Sequence, residues 1–370
     1  MKVLWNNHRD WTHPKAGGAE KTILELGTRW AAQGHEVYLL TSQWDRAPLR
    51  EMSYGINVLR SPGALMPHLA LIEKIRELRP DVVIDDLAHV VPWFSPWLSS
   101  VPGVAFFRHL HRRTLRGQVS PPAARLLESI EHLYPMIYRG FDFVVESVQS
   151  GTDLAALGVP RKRIVTINPG VDSVRFKPGL LTQEASVVFF AGLRDYKRPQ
   201  DAIRTLRAVA DLGVPCSLTI VGAEARVGLL RHLAQDLGLE KQVRFPGRLS
   251  DEDLAHLVGT AWVNLNCSTA EGWGYSALEA AACGVPTVAY DVPGVREALG
   301  NGETGVLVPD GDIRMMAQSV RDIIEFREGW THRCRQFAER YSWDKCAALW
   351  SGLLGRLINE DRPEKRSLSG

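Results

Sequence analysis

Short apolar runs alternate with segments of helical spacing along the whole chain, and this alternation constrains the fold more than any other feature. Parallel strands need a long crossover between them, so such a pattern is typical of βαβ units. The strand candidates are Lys2–Trp5, Glu36–Leu40, Asn57–Leu59, Asp81–Ile84, Gly103–Phe107, Asp142–Val145 and Arg163–Ile167 in the first half, and Ser186–Ala191, Ser217–Val221, Gln242–Phe245, Trp262–Asn266 and Pro286–Ala289 in the second. The sequence therefore predicts an α/β protein with a Rossmann-like sheet in each half.

Two proline and glycine clusters separate the halves. Asn168-Pro169-Gly170 and, shortly after it, Pro178-Gly179 follow a strand candidate, as expected of a linker. The 370 residues also exceed what one core usually holds. We expect an N-terminal domain over residues 1–172, a C-terminal domain over residues 178–342, and a hinge between them. The apolar stripe from Trp343 to Leu357 predicts a helix, residues 343–358, that must pack on a domain.

Charge excludes one class of partner. The chain has 44 Lys and Arg against 42 Asp and Glu, a formal net charge of +2, so no global field draws it to nucleic acid. One local basic stretch runs from Arg108 to Arg116 and includes Arg112 and Arg113; it is either a binding site or a solvated loop. With 45% hydrophobic and 23% charged residues the chain has an ordinary globular composition, which argues against disorder.

The spacing of the cysteines and the hydropathy of the chain indicate the cellular compartment and narrow the choice of cofactors. The five cysteines are scattered without the close pairing of a zinc or redox motif, so they are expected to be reduced and buried. The polar Asn6 interrupts the first apolar run, and no run approaches the roughly 18 residues of a membrane span. The expected location is the cytoplasm, with peripheral contact to the inner face of a membrane left open.

Gly17-Gly18 lies after the first strand candidate and opens a helix that is expected to run to about Gln33. Glycines at a helix N-terminus expose backbone N–H groups to phosphate or sugar oxygens. The alternative is that the glycines serve only a tight turn. No G-x-G-x-x-G is present, which argues against a nicotinamide cofactor.

A basic turn follows the first strand candidate of the second half. Gly192 precedes Arg194 and Lys197, and the carboxyl edge of a parallel sheet is where open α/β folds bind ligands. Arg194 could hold phosphate oxygens in a bidentate manner and Lys197 could add a point charge. The alternative is a solvated turn with Asp195 as the internal partner.

The segment from Glu271 to Glu279 carries the most information. Gly272 and Gly274 lie between a strand candidate and a helix start, so their amides could receive phosphate or sugar oxygens. Glu279 lies about two turns into the helix. Two paired carboxylates could also be a glycosidase acid and nucleophile, or two helix-surface residues.

These motifs together resemble the retaining glycosyltransferases of the GT-B kind, specifically family 4, the glycosyl transferases group 1. The resemblance covers nearly the whole chain and rests on Gly17-Gly18, the His109/His111 loop, Gly192 with Arg194 and Lys197, and Glu271…Glu279. It implies two Rossmann-like domains that face each other across a donor and acceptor cleft, with the acceptor on the first domain and the helix 343–358 packed back onto that domain. Here Leu193 stands directly after the glycine, where family members usually have Arg.

The resemblance also implies roles for residues. Arg194 and Lys197 would bind the donor diphosphate, Glu279 the ribose, and Glu271 the sugar. His109 or His111 would lie near the transferred sugar, with His109 favoured. The implied catalytic set is His109, Glu271, Arg194 and Lys197, and the implied donor-binding set is Gly17, Gly18, Arg194, Lys197, Gly222, Arg248, Glu271, Gly272, Trp273, Gly274, Tyr275, Ser276 and Glu279.

The implied reaction transfers a sugar from a UDP- or GDP-sugar, with retention, to a hydroxyl of a glycan, a lipid-linked or a small-molecule acceptor. No cofactor and no metal is expected. The aromatic run Pro92–Leu98 could contact such an acceptor or belong to the core. Two other interpretations are a nucleotide-sugar epimerase of the same fold and a silent nucleotide-sugar-binding scaffold. The sequence predicts neither the sugar, the base, the acceptor nor the oligomeric state.

Overall fold

The computed structural model describes residues 1–63, 65–111, 120–222 and 227–360, so Arg112, Arg113 and Arg116 lie outside the described residues. The chain divides into two compact units. One combines Met1–Pro169 with Trp343–Gly370, and the other is Gly170–Ser342.

The first unit contains a sheet that is parallel except at one edge. In the described residues its strand order is β3-β4-β2-β1-β5-β6-β7-β8, with β3 antiparallel to β4. The central strand β1 pairs with two neighbours, and Trp5 lies opposite Leu39 and Ile84. The strands are β1 (Lys2–Asn6), β2 (Glu36–Ser42), β3 (Arg50–Ser53), β4 (Ile56–Ser61), β5 (Val82–Leu87), β6 (Gly103–Phe107), β7 (Asp142–Val145) and β8 (Ile164–Thr166).

Helices connect these strands and cover the sheet. Strand β5 is buried along its whole length, as expected of a central parallel strand with helices on both faces. The helices in this part of the chain are α1 (Gly18–Ala32), α2 (Met66–Leu78), α3 (Ser95–Leu98), α4 (Pro121–Glu131), α5 (Tyr134–Ile137) and α6 (Val148–Ala156).

The second unit repeats the architecture. Its strand order, in the part of the chain that the structure describes, is β11-β10-β9-β12-β13-β14, with parallel pairing throughout. The strands are β9 (Ala185–Phe190), β10 (Cys216–Val221), β11 (Val243–Gly247), β12 (Val263–Asn266), β13 (Thr287–Tyr290) and β14 (Gly305–Val308). The helices are α7 (Pro199–Asp211), α8 (Val227–Asp236), α9 (Asp251–Thr260), α10 (Tyr275–Ala282), α11 (Pro293–Ala298), α12 (Ile313–Glu325) and α13 (Trp330–Ala338).

The last helix, α14 (Trp343–Glu360), belongs to the first unit. Trp350 is fully buried and packs against Trp5 and Phe106, with ring centroids 5.8 and 4.9 Å apart. Ion pairs join both ends of the helix to the same unit: Arg29 Nε lies 2.7 Å from Asp344 Oδ1, and an Arg356 nitrogen lies 3.1 Å from Asp142 Oδ2. A segment more than 300 residues from β1 thus completes the core around β1.

None of the helices in the described ranges is long and apolar enough to cross a membrane. Cys267, Cys283, Cys334 and Cys346 are buried thiols, and Cys216 is half-buried.

Candidate active site

Two loops at the carboxyl edge of the second sheet come together. The first follows β9, contains Gly192 and Arg194, and forms a short 3₁₀ turn at Asp195–Lys197. The second follows β12 and leads through Glu271 to α10. The backbone N–H of Thr269 in the second loop donates to the carbonyl of Tyr196 in the first, at 2.8 Å. Because β9 and β12 are adjacent and parallel, both loops leave the sheet at the same edge.

Lys197 and Glu271 form an ion pair across these loops. The Lys197 ammonium donates to Glu271 Oε1, and both side chains are about 15% exposed. Burial, the largest single effect, would lower the pKa of Lys197, but the Glu271 carboxylate and Tyr196 together outweigh it and raise that pKa above its ordinary value. Ser268 Oγ donates to the same Glu271 oxygen at 2.8 Å. Lys197 is therefore charged, and Glu271 is held in a fixed orientation.

Helix α10 begins at Tyr275, after a short glycine-containing loop that follows Glu271. Gly274 caps the helix with φ +122°, a conformation that side-chain-bearing residues rarely adopt. Gly294, in α11, packs so closely that an added Cβ would lie 2.4 Å from the Glu271 carbonyl oxygen. The close packing fixes the loop, and the first amides of α10 provide N–H groups suited to an anion.

The remaining predicted donor-binding residues of α10 and its loop differ in exposure. Tyr275 and Ser276 are half-buried in the first turn, and Ser276 Oγ accepts a hydrogen bond from Asn266 Nδ2 at 3.3 Å. Glu279, in the second turn, is 8% exposed. Trp273 is 2% exposed and its ring packs 5.4 Å from that of Tyr341, so the side chain is part of the core.

Three other predicted residues surround the same edge. Arg194 is exposed, and its Nη1 lies 3.4 Å from the Tyr196 hydroxyl. Arg248 is exposed directly after β11. Gly222 follows β10, and an added Cβ there would lie 2.4 Å from the Ala191 carbonyl oxygen.

In the first unit, Gly17 is the N-cap of α1 and Gly18 is its first residue, so the pair opens the helix as predicted. The N–H of Gly17 donates to Glu20 Oε2 at 2.7 Å, which places one of the glycine amides in a hydrogen bond within the unit. Burial raises the pKa of Glu20, although its hydrogen bond from Gly17 opposes the shift.

The two candidate histidines after β6 have different surroundings. His111 is buried, with Nδ1 3.3 Å from Glu131 Oε1 and Nε2 3.1 Å from the Ala88 carbonyl oxygen. Both of its ring nitrogens are therefore used inside the first unit. His109 is half-buried, and its ring centroid lies 4.9 Å from that of His111.

Arg108 does not belong to a solvated basic loop. Only 4% of it is exposed, and it forms ion pairs with Asp86 at 2.6 Å and Glu146 at 2.5 Å. It also donates to Thr22 Oγ1 in α1. The arginine thus joins β5, β6, β7 and α1, and the interpretation as a solvated loop is wrong for this residue because two buried carboxylates hold it inside.

A cluster of rings at the carboxyl edge of the first sheet was not predicted. His8 lies 4.5 to 5.0 Å, between ring centroids, from His68, His89 and Trp93. Burial, together with the charges of His68, Arg9 and His111, lowers the pKa of His8 to about 3. His8 is thus neutral at physiological pH. In the described ranges, no group of three or more His, Cys, Asp or Glu residues could hold a metal ion.

Sequence reasoning also missed Ser268 and Gly294. A serine three positions before Glu271 was the available signal for the first. Gly294 lies on a different helix, and only the fold brings it to the loop.

Comparisons with known proteins identify the family and the fold. Residues 171–341 match the family described as Glycosyl transferases group 1, and residues 16–175 match Glycosyltransferase Family 4. The D-inositol 3-phosphate glycosyltransferase of Rhodococcus erythropolis is 30% identical over 378 aligned residues, which cover 90% of this chain and 85% of the relative.

Two solved structures show the same fold. Sucrose-phosphate synthase from Thermosynechococcus elongatus has a TM-score of 0.83 at 21% identity, covering 98% of this chain and 100% of that one. The Anabaena protein HepE in complex with UDP-glucose has a TM-score of 0.77 at 19% identity, covering 96% and 100%. The predicted fold class, family and enzyme class are confirmed. The chain belongs to the family 4 (group 1) glycosyltransferases and has the GT-B fold of two Rossmann-like domains.

Proposed function

We propose that this glycosyltransferase takes its sugar from a UDP-sugar and transfers it, with retention of anomeric configuration, to a hydroxyl of a glycan, a lipid-linked or a small-molecule acceptor. The observation that carries the proposal is the charged Lys197, paired with Glu271 directly before the N-terminus of α10. HepE, of similar fold, has been crystallised with UDP-glucose, which supports UDP over GDP.

In this proposal Lys197 and Arg194 offset the negative charge that grows on the departing diphosphate, and the first amides of α10 add hydrogen bonds to it. Gly222 and Arg248 lie at the same sheet edge, where they would contact the nucleotide. Glu279 accepts hydrogen bonds from ribose hydroxyls, and Glu271 from sugar hydroxyls. From the first unit, His109 is the proposed sugar-side histidine, because His111 uses both ring nitrogens internally.

In the proposed reaction, retention results because the leaving group departs and the acceptor attacks on the same face of the sugar. The bond between the anomeric carbon and the diphosphate oxygen breaks, and the acceptor oxygen attacks on the same face. The departing diphosphate oxygen takes the acceptor proton, so no protein base is required. Placement of the reactants and fixed charges at the leaving group would supply the catalysis.

The test combines binding and turnover. Purified protein is incubated with UDP-, GDP-, ADP- and dTDP-sugars, and thermal shift and nucleotide release are recorded for the wild type, Lys197→Ala and Glu279→Ala. Arg207→Ala is the matched control, since Arg207 forms an exposed pair with Asp211 on α7. We expect stabilisation by a UDP-sugar in the wild type and the control, and its loss in the other two variants.

The acceptor search then uses the donor that binds, with D-inositol 3-phosphate in the panel because relatives are named for it. NMR of the product gives the anomeric configuration. Stabilisation by a GDP-sugar alone would overturn the UDP assignment, and an inverted product would overturn retention. No response to any donor would contradict the proposed role of Lys197.

A further inference from the structure

A residue in an unfavourable backbone conformation directly follows Lys197. Arg198 has φ +48° and ψ +54°, in the left-handed region, and it precedes Pro199 at the start of α7. A glycine would adopt this conformation without steric cost, whereas a side chain with a Cβ is strained. Strain of this kind persists where surrounding contacts impose it, often near a functional site. The side chain of Arg198 must therefore make contacts that offset the strain.

Those contacts connect the turn to the other side of the sheet edge. Arg198 Nη1 donates to Asp310 Oδ1 at 2.7 Å, in the loop after β14. The same nitrogen lies 3.9 Å from Asp201 Oδ2, and the guanidinium carbon lies 5.6 Å from the centre of the Tyr290 ring. Asp310 is half-exposed, but the other two groups are buried.

The buried partners are themselves fixed. The Tyr290 hydroxyl, at the end of β13, donates to Asp201 Oδ2 at 3.0 Å. The backbone N–H of Asp201 donates to the Arg198 carbonyl at 2.9 Å. Arg198 thus packs against a rigid surface formed by β13 and the first turn of α7.

A second anchor holds the turn from the opposite side. The Tyr196 carbonyl accepts from the Thr269 N–H at 2.8 Å and lies 3.4 Å from the Thr269 hydroxyl. Lys197 is therefore flanked by two anchored residues, Tyr196 toward the β12 loop and Arg198 toward the β14 loop. The lysine side chain is a four-carbon stem, so the points that its ammonium can reach are set by the position of the Lys197 Cα.

We propose that Arg198 is a positioning residue for the donor: its pairing with Asp310 fixes the backbone of the turn so that the Lys197 ammonium reaches the diphosphate. The inference rests on the proposed function of Lys197. It differs from a purely structural role, because a structural arginine would affect stability and leave donor affinity unchanged.

The test uses a substitution that removes the strain and the anchor together. In Arg198→Gly the backbone conformation is unstrained, so the melting temperature should stay at or above that of the wild type. The Kd for UDP should nevertheless rise by about two- to fivefold, up to the full worth of a partly exposed ion pair. The KM for the donor should rise more than kcat falls, and Arg198→Lys should restore part of the affinity.

Asp310→Ala tests the same ion pair from its other partner. Asp310 lies at the surface, so its loss should not impair folding. It should weaken UDP binding by a similar factor, and the double variant should be no weaker than either single one, since both changes remove the same contact. Arg207→Ala, which breaks the exposed pair on α7, should bind UDP as the wild type does.

Wild-type UDP affinity in Arg198→Gly and Asp310→Ala would overturn the inference while leaving the proposed donor site intact. Additive losses in the double variant would also overturn it, since the two residues would then act separately. Failure of the wild-type protein to bind UDP or any other nucleoside diphosphate is a different outcome, which contradicts the proposed function itself.

Discussion

The Lys197 ammonium and the Glu271 carboxylate pair directly, although 74 positions separate them in the sequence. Within the protein, Glu271 supplies the negative charge that compensates this half-buried lysine. A diphosphate that binds Lys197 therefore competes with Glu271 for the same cation. Glu271 should therefore weaken the binding of the diphosphate and strengthen the binding of the sugar.

Glu271→Gln separates these two effects. Without the competing carboxylate, UDP should bind several-fold tighter by isothermal titration calorimetry, since Lys197 is then available to the phosphates. Transfer from the UDP-sugar should fall by about 100-fold or more, since a hydrogen-bond acceptor for the sugar is weakened. Glu303→Gln, which alters an exposed pair with Arg340, is the control. Weaker UDP binding in Glu271→Gln would show that the carboxylate does not compete.

Gly294→Ala tests how far the loop depends on close packing. The new Cβ would lie 2.4 Å from the Glu271 carbonyl oxygen, so the loop must move. We expect a loss of about 1–3 kcal/mol in stability and a weaker thermal shift with the donor. In Gly352→Ala, in an exposed part of α14 with nothing within 4 Å, the free energy of unfolding should instead rise by about 0.5–1 kcal/mol. Equal stability of the two variants would contradict the packing argument.

Arg108→Met removes the guanidinium that pairs with the buried carboxylates of Asp86 and Glu146. The free energy of unfolding of the first unit should fall by about 3–5 kcal/mol in urea, since uncompensated buried charges are costly. Adding Asp86→Asn and Glu146→Gln to Arg108→Met should restore much of the loss because the charges are then gone. Arg125→Ala, on the partly exposed helix α4, is the control. A loss in the triple variant as large as in Arg108→Met would show that charge is not the cause.

His8 predicts a pH dependence of stability. Its folded pKa of about 3 lies below the ordinary 6.5, so between these values the unfolded chain binds a proton that the folded chain does not. Stability should therefore rise with pH across this window and fall as the pH drops below about 6.5. In His8→Phe this contribution is absent. The difference in free energy of unfolding between the variant and the wild type should therefore change by about 1.4 kcal/mol per pH unit within this window. Urea unfolding at pH 7.5, 6 and 5 measures it.

A constant offset between the His8→Phe and wild-type curves would come from the lost hydrogen bond with the Val91 backbone and would not count as support. His132→Phe is a suitable comparison, because His132 lies exposed at the end of α4 in the same unit. Parallel pH profiles of His8→Phe and the wild type would contradict the prediction.

Most of the parallel strands could be predicted because each is a short apolar run between helical segments. Strand β3 was missed, since Arg50-Glu51-Met52-Ser53 has no apolar face and lies at the sheet edge. Strand β14, another edge strand, was missed because it follows a glycine-rich turn and its two middle residues, Val306 and Leu307, are only half-buried. Edge strands bury fewer side chains, so their sequences carry a weaker signal.

Part of the candidate site could likewise be predicted from the sequence, and part could not. The segment from Glu271 to Glu279 could be identified because a loop and a helix start are local features of sequence. The partners of Arg108 lie 22 and 38 positions away, so its run of basic neighbours left open a binding site or a solvated loop and did not predict a buried ion pair. Arg198 was passed over because the sequence does not show that its backbone is left-handed or that Asp310 lies beside it.

The contribution of α14 to the core of the first unit has a consequence for synthesis on the ribosome. The second unit, Gly170–Ser342, is synthesised before the helix whose Trp350 packs against Trp5 and Trp30. During that interval the nascent first unit exposes the aromatic surface that Trp350 later covers. The first unit therefore cannot complete its core until the residues that follow the second unit have been made, and until then its exposed aromatic surface is open to aggregation and to chaperones.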